Sequence, residues 1–215
     1  MKTLKSFFSL ALICFSLLML TNTESKGQCI SGFTQSSVTM TIGNCDYKLK
    51  VCYKCAVSYP GDVYILGIEE LDSNCNNILP INQIIEQAYV EISRGAFIYS
   101  NLCVGGLHNA PPCDGDPSSV YSTMNIHWNY CWQVWYRHNG IEPIYEIIPC
   151  EDNAECIETI KFCWNGTDYT KVGASSFSTP QTPPCSLEYN QITYPTILNQ
   201  KSGCFILHSV PCGTN

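Results

Sequence analysis

Fourteen cysteines between Cys29 and Cys212 constrain this chain more than any other feature, because their partners must come together in any fold it adopts. A fifteenth, Cys14, lies in a different kind of segment. Lys2 and Lys5 precede an almost unbroken apolar run from Phe7 to Leu20, and a polar stretch from Thr21 to Lys26 follows. That three-part plan is that of a signal peptide, whose apolar part is short for crossing a bilayer. Small residues at Ser25 and Gly27 place cleavage before Gln28, with a site near Thr23 as the alternative. The leader, 1–27, then removes Cys14 and leaves an even number: Cys29, Cys45, Cys52, Cys55, Cys75, Cys103, Cys113, Cys131, Cys150, Cys156, Cys163, Cys185, Cys204 and Cys212. Export delivers thiols to an oxidising compartment, where they pair. The expectation is a secreted (extracellular or periplasmic) disulfide-rich protein with no transmembrane segment after leader removal. Spacing alone does not set the connectivity.

Charge narrows the partners. The whole chain has 11 basic and 18 acidic residues, and loss of Lys2, Lys5, Lys26 and Glu24 makes the mature part more acidic still. Its only arginines are Arg94 and Arg137. Such a surface repels polyanions, which argues against nucleic acid. The charged fraction is 13%, about half the usual quarter, so Asn, Ser, Thr and Tyr must keep the surface wetted. A protein or glycan at an extracellular surface is the partner class this composition allows.

The periodicity is mostly that of strands, so the fold class expected is mainly β, built from antiparallel hairpins and a meander. Val38, Met40 and Ile42 alternate with Thr39, Thr41 and Gly43. After Gly43-Asn44, Tyr47, Leu49, Val51 and Tyr53 alternate with Lys48, Lys50 and Cys52. Val63 to Ile68 reads as a further strand. One segment differs: Ile81, Ile84, Ile85, Ala88, Tyr89 and Ile92 fall at helical spacing, predicting an amphipathic helix over 81–94 that lies on a sheet. Residues 28–101 thus form a β-rich region with one helix. Residues 102–119 form a Cys/Gly/Pro loop that Cys103 and Cys113 would staple. Residues 120–215 form an antiparallel β region, either as a separate domain or as part of one.

From 120 to 137 the alternation is long, with the even-numbered residues from Val120 to Tyr136 apolar except Ser122, predicting a bent strand or two strands in line. Asn139-Gly140 and Asn165-Gly166 predict two hairpin turns. Residues 173–184 read as a loop or linker. The strand at Phe205-Ile206-Leu207, flanked by cysteines, is expected to be tied back to the body.

Candidate chemistry is sparse. Cys52-Tyr-Lys-Cys55 has redox-motif spacing, with Cys45 as a possible third metal ligand, but it continues a strand where redox pairs open a helix. Structural disulfides are the simpler reading. His108, His127, His138 and His208 lack metal-site spacing, and no cofactor or metal motif is complete. Asp114-Gly-Asp116 lacks the rest of a calcium loop. Glu69-Glu70-Asp72 and Glu151-Asp152 are acidic pairs beside strands, each expected to be a solvated loop. Asn165-Gly-Thr167 has the form of a glycosylation acceptor. Trp128, Tyr130, Trp132 and Tyr136 share the apolar face and belong to a core. Trp135 falls on the polar face, and with Tyr121 or Tyr145 it would make a stacking surface unless the C-terminal segment covers it. The expected function is an extracellular binding or structural module rather than an enzyme. The alternatives are a hydrolase with carboxylates on loops, and a secreted inhibitor or toxin.

Overall fold

A computed structural model describes residues 29–55, 60–71, 75, 81–93, 112–114, 122–151, 155–167, 169–178 and 185–207. The expected signal peptide, most of the 102–119 loop, Tyr121, Cys103 and Cys212 lie outside the described residues. Thr34–Ile42 (β1) and Cys45–Cys55 (β2) form the first hairpin, with Ile42 opposite Cys45. Gly43 takes φ 63°, the left-handed conformation a two-residue turn requires. Pro60–Glu70 (β3) pairs antiparallel with β2 along nearly its whole length. The helix Ile81–Ser93 (α1) follows, then Ser122–Asn129 (β4), Cys131–His138 (β5), Pro143–Pro149 (β6) and Glu155–Trp164 (β7). Four short strands complete the set: Tyr169–Lys171 (β8), Ser176–Ser178 (β9), Leu187–Glu188 (β10) and Phe205–Ile206 (β11).

All of these strands belong to one sheet, and it forks at β3. With β2 filling one edge of β3, the other edge is shared. Asp62, Val63 and Tyr64 pair in parallel with Asn125, Ile126 and His127 of β4. Ile68 and Glu69 pair antiparallel with Ile147 and Glu146 of β6. Between those contacts β3 carries a bulge, since Lys50 faces Gly67 and Val51 faces Ile65, leaving Leu66 extra. A side chain at Gly67 would sit 3.0 Å from the Ile147 carbonyl oxygen, so only glycine allows β6 so close. One leaf continues from β4 to β7 and β8, the other from β6 to β5, β11 and β10.

The long alternation is two strands, as expected, but they enter different leaves. β4 pairs with β3 and β7, while β5 pairs with β6 and β11. The two Asn-Gly hairpins form, β5–β6 and β7–β8, and lie in opposite leaves. Within 173–184 the expected loop holds a strand, β9, which pairs with Ile157–Thr159 on the edge of β7 that β8 leaves open.

Alternation sets the faces. Met124, Ile126, Trp128, Tyr130, Trp132 and Val134 are buried on the α1 side. They share one core with Leu49 and Val51 of β2, Ile65 of β3, Ile160 and Phe162 of β7, and the apolar stripe of α1. Tyr89 of α1 packs on Trp128, ring centroids 5.4 Å apart.

Five disulfides fasten this sheet: Cys29–Cys52, Cys45–Cys75, Cys113–Cys163, Cys131–Cys185 and Cys150–Cys204. Cys55 and Cys156 are disulfide-bonded as well. One sequence reading changes and one holds. Cys113 joins β7 through Cys163 rather than closing the loop with Cys103. Cys45, Cys52 and Cys55 are all in structural disulfides, as expected, with Cys52 bonded to Cys29 and Cys45 to Cys75; Cys52 and Cys55, three apart in a strand, point to opposite faces. Phe205 and Leu207 are buried and β11 pairs with β5, tying back the C-terminal segment.

Trp128 tests this packing. Trp128→Ala is expected to lower the unfolding free energy by about 3–5 kcal/mol, measured by urea denaturation with disulfides intact. A loss below about 1 kcal/mol would place the ring outside a packed core.

Candidate functional site

The face of the sheet opposite α1 carries the polar set of each strand. Asp62 and Tyr64 of β3, Asn125, His127 and Asn129 of β4, Gln133, Trp135 and Arg137 of β5, and Glu146 of β6 project there. A cleft of about 350 Å³ opens on this face where β4 and β6 part from β3. Tyr64, Leu66, Asn129, Gln133, Ile148, Glu151, Glu155 and Lys201 line it, with the Cys29–Cys52 arm contributing Ile30.

His127 stands behind one wall. Its Nδ1 lies 3.2 Å from Glu155 Oε2 and its Nε2 lies 3.3 Å from Asp62 Oδ1. Ionised carboxylates only accept hydrogen bonds, so satisfying both contacts requires a proton on each ring nitrogen. Burial alone would lower the His127 pKa. The hydrogen bonds and charges of Glu155 and Asp62 outweigh it and raise the pKa above 6.5. Tyr64 stacks on the imidazole at 3.8 Å with planes 16° apart, a cation–π arrangement when the ring is charged. Burial, then the charges of Glu155 and Asp62, raise the Tyr64 pKa. Asn125 extends the cluster, donating to Asp62 at 3.0 Å and accepting from Thr159 at 2.9 Å.

Beyond the bulge lies a four-charge ring. Lys50 Nζ reaches Glu69 at 2.6 Å and Glu146 at 2.8 Å. Arg137 contacts Glu69 at 3.1 Å and also pairs with Glu146. Alternating signs from β2, β3, β5 and β6 thus hold the second leaf to β3. Glu69 therefore belongs to an ion-pair network rather than to a solvated acidic pair.

Trp135 is half-buried between these features. The Arg137 guanidinium carbon is 5.5 Å from its ring centroid and Lys201 Nζ is 5.8 Å away. The C-terminal segment runs beside it: Lys201 bridges to Trp135, and the Tyr136 amide donates to the Gln200 carbonyl at 3.0 Å. Lys201 also lines the cleft, as does Gln133, two residues along on the same face. Tyr145 does not join Trp135. It pairs with Tyr136, whereas Trp135 pairs with Glu146, so Tyr145 projects from the α1 face. There it packs on Tyr136 and Tyr194 and donates to the Pro195 carbonyl at 3.3 Å.

A second carboxylate sits in the core itself. Glu158 of β7 is fully buried on the α1 face. It accepts from Tyr89 Oη at 3.0 Å and Trp128 Nε1 at 3.4 Å, with Lys171 Nζ at 3.8 Å. Burial, then the Glu158 charge, pushes the Tyr89 pKa up. Sequence reading singled out neither Glu158 nor the Asp62–His127–Glu155 cluster. An acid between Cys156 and Ile160, on an otherwise apolar face, was the available signal for Glu158.

No protein-family model, curated protein or solved structure matches this chain. What fold and site define is a class: a disulfide-bonded, mostly β domain with a forked sheet and one described α-helix.

His127 gives this site a pH signature. Because its folded pKa is raised, the stabilisation from its charged form is complete below the unfolded value near 6.5 and is lost as pH rises through the folded value. Comparing thermal midpoints of the native protein and His127→Phe between about pH 5.5 and 8.5, the native advantage should shrink steadily on the alkaline side. A difference that stays constant with pH would mean that the imidazole carries no charge between Asp62 and Glu155.

Proposed function

We propose that this is an exported binding module whose cleft at the sheet fork takes a neutral, hydroxyl-rich ligand such as an oligosaccharide segment. The observation that carries this reading is the continuity of the cleft with Trp135 through Lys201. Planar polar side chains (the Asn129 and Gln133 amides, the Glu151 and Glu155 carboxylates) can pair with adjacent hydroxyls, while aromatic rings pack on the apolar faces of sugar rings. The cleft volume falls at the small end of ligand sites, which run about 300–1,000 Å³. Export is supported by the five disulfides, bonds that persist in oxidising compartments. Of the two proposed partners of Trp135, Tyr145 plays no part in this reading, and Tyr121 lies outside the described residues.

A second reading has one observation in its favour: Glu151 and Glu155 line the same cleft, and paired carboxylates are what a glycoside hydrolase needs. One experiment addresses both. Tryptophan fluorescence titrations with neutral cello-, chito- and manno-oligosaccharides should give saturable binding to at least one series. Asn129→Ala should weaken it by about tenfold, the effect of losing one buried hydrogen-bond partner, without moving the thermal midpoint. Release of new reducing ends during incubation would move the assignment to the hydrolase. Absence of saturable binding to every series would overturn the saccharide reading.

A further inference from the structure

The tip of the β5–β6 hairpin holds a reactive arrangement unrelated to the cleft. The Gly140 amide N–H donates to His138 Nδ1 at 3.0 Å, so that ring nitrogen carries no proton of its own. Asn139 Oδ1 accepts from the Ile141 amide at 2.8 Å and the Glu142 amide at 2.9 Å. Gly140 has φ 102°, and the space where a Cβ would stand is open. Ile141 is 88% exposed, so water reaches the turn. A base on the Gly140 nitrogen, two donors on the Asn139 amide oxygen and an unhindered glycine each favour attack of a backbone amide on the preceding side chain.

We infer that Asn139-Gly140 is a self-modification site, at which His138 promotes cyclisation of Asn139 to a succinimide and its conversion to aspartate or isoaspartate. His138 Nδ1 takes the Gly140 amide proton as the nitrogen forms a bond to Asn139 Cγ. The displaced electron pair moves to Oδ1, where the Ile141 and Glu142 amides stabilise the negative charge as an oxyanion hole does. Collapse of this intermediate breaks the bond from Cγ to the side-chain nitrogen. Ammonia leaves, carrying the proton that His138 had taken. Water then opens the ring at either carbonyl, and it is the only co-reactant. The product places a carboxylate at the hairpin tip, and the isoaspartate form adds a methylene to the backbone.

The second Asn-Gly turn supplies an internal reference. Asn165 Oδ1 also accepts a backbone amide, from Thr167 at 2.9 Å, but Trp164 stands in the place of His138. The test is incubation of the folded protein, produced without N-glycosylation so that Asn165 keeps its free amide, in oxygen-18 water at neutral pH, followed by peptide mass spectrometry of both sites. General-base assistance is worth about 10²–10⁴-fold, so Asn139 should convert at least roughly tenfold faster than Asn165. In reduced, urea-unfolded chain the two rates should converge. His138→Phe should remove the excess at Asn139 and leave the Asn165 rate unchanged. Similar rates at the two sites in folded protein would overturn the inference, as would an excess at Asn139 that survives His138→Phe. Should that variant fail to fold, His138→Gln takes its place, and an excess at Asn139 that survives there would equally overturn the inference.

Discussion

Strand β3 offers two edges of backbone donors and acceptors, and a buried strand must have both satisfied. β2 takes one edge along nearly its whole length, and neither β4 nor β6 covers the other alone. The remaining features depend on that division. The Leu66 bulge turns β3 between its two partners, Gly67 lets β6 approach, and the cleft is the space left where the leaves part. A bend at Tyr130 carries the sequence from one leaf to the other, so a single residue separates strands in different parts of the sheet.

Each leaf is then held by different chemistry on its two faces. On the α1 face the bond is apolar burial, where each large side chain is worth about 1.5–3 kcal/mol. On the opposite face it is a set of ion pairs: Lys50 and Arg137 with Glu69 and Glu146, and His127 with Asp62 and Glu155. Partly buried pairs of this kind return little net stability, because desolvation offsets their attraction. Their effect is on arrangement: a strand pair slipped by one residue would leave four charges without partners. Glu158 is the exception on the apolar side, and its hydrogen bonds to Tyr89 and Trp128 fix how α1 sits over the sheet.

Much of this fold was legible in the residues. Period-two alternation gave β1, β2, β4 and β5 with the correct faces, helical spacing gave α1 to within a residue, and Asn-Gly pairs gave both turns. These are local signals, fixed by side-chain direction along a few residues. The fork was not legible, because parallel pairing of β3 with β4 joins residues about sixty apart in sequence and leaves no local trace. The same distance hid the disulfide partners of Cys113 and the His127 cluster, whose members come from β3, β4 and β7. Trp135 was placed on the right face by alternation, but its flanking by Lys201 depends on a C-terminal segment that alternation does not position.

The two bridges from the β5–β6 leaf, Cys131–Cys185 and Cys150–Cys204, span equal stretches of chain. Together they attach the C-terminal segment at both ends to the leaf it lies on. A peptide bond hydrolysed anywhere between Cys163 and Cys185 would therefore leave no free fragment. The nicked molecule would keep Lys201 beside Trp135 and β11 beside β5, held by covalent bonds that a protease does not cut. That is endurance built from connectivity rather than from depth of core.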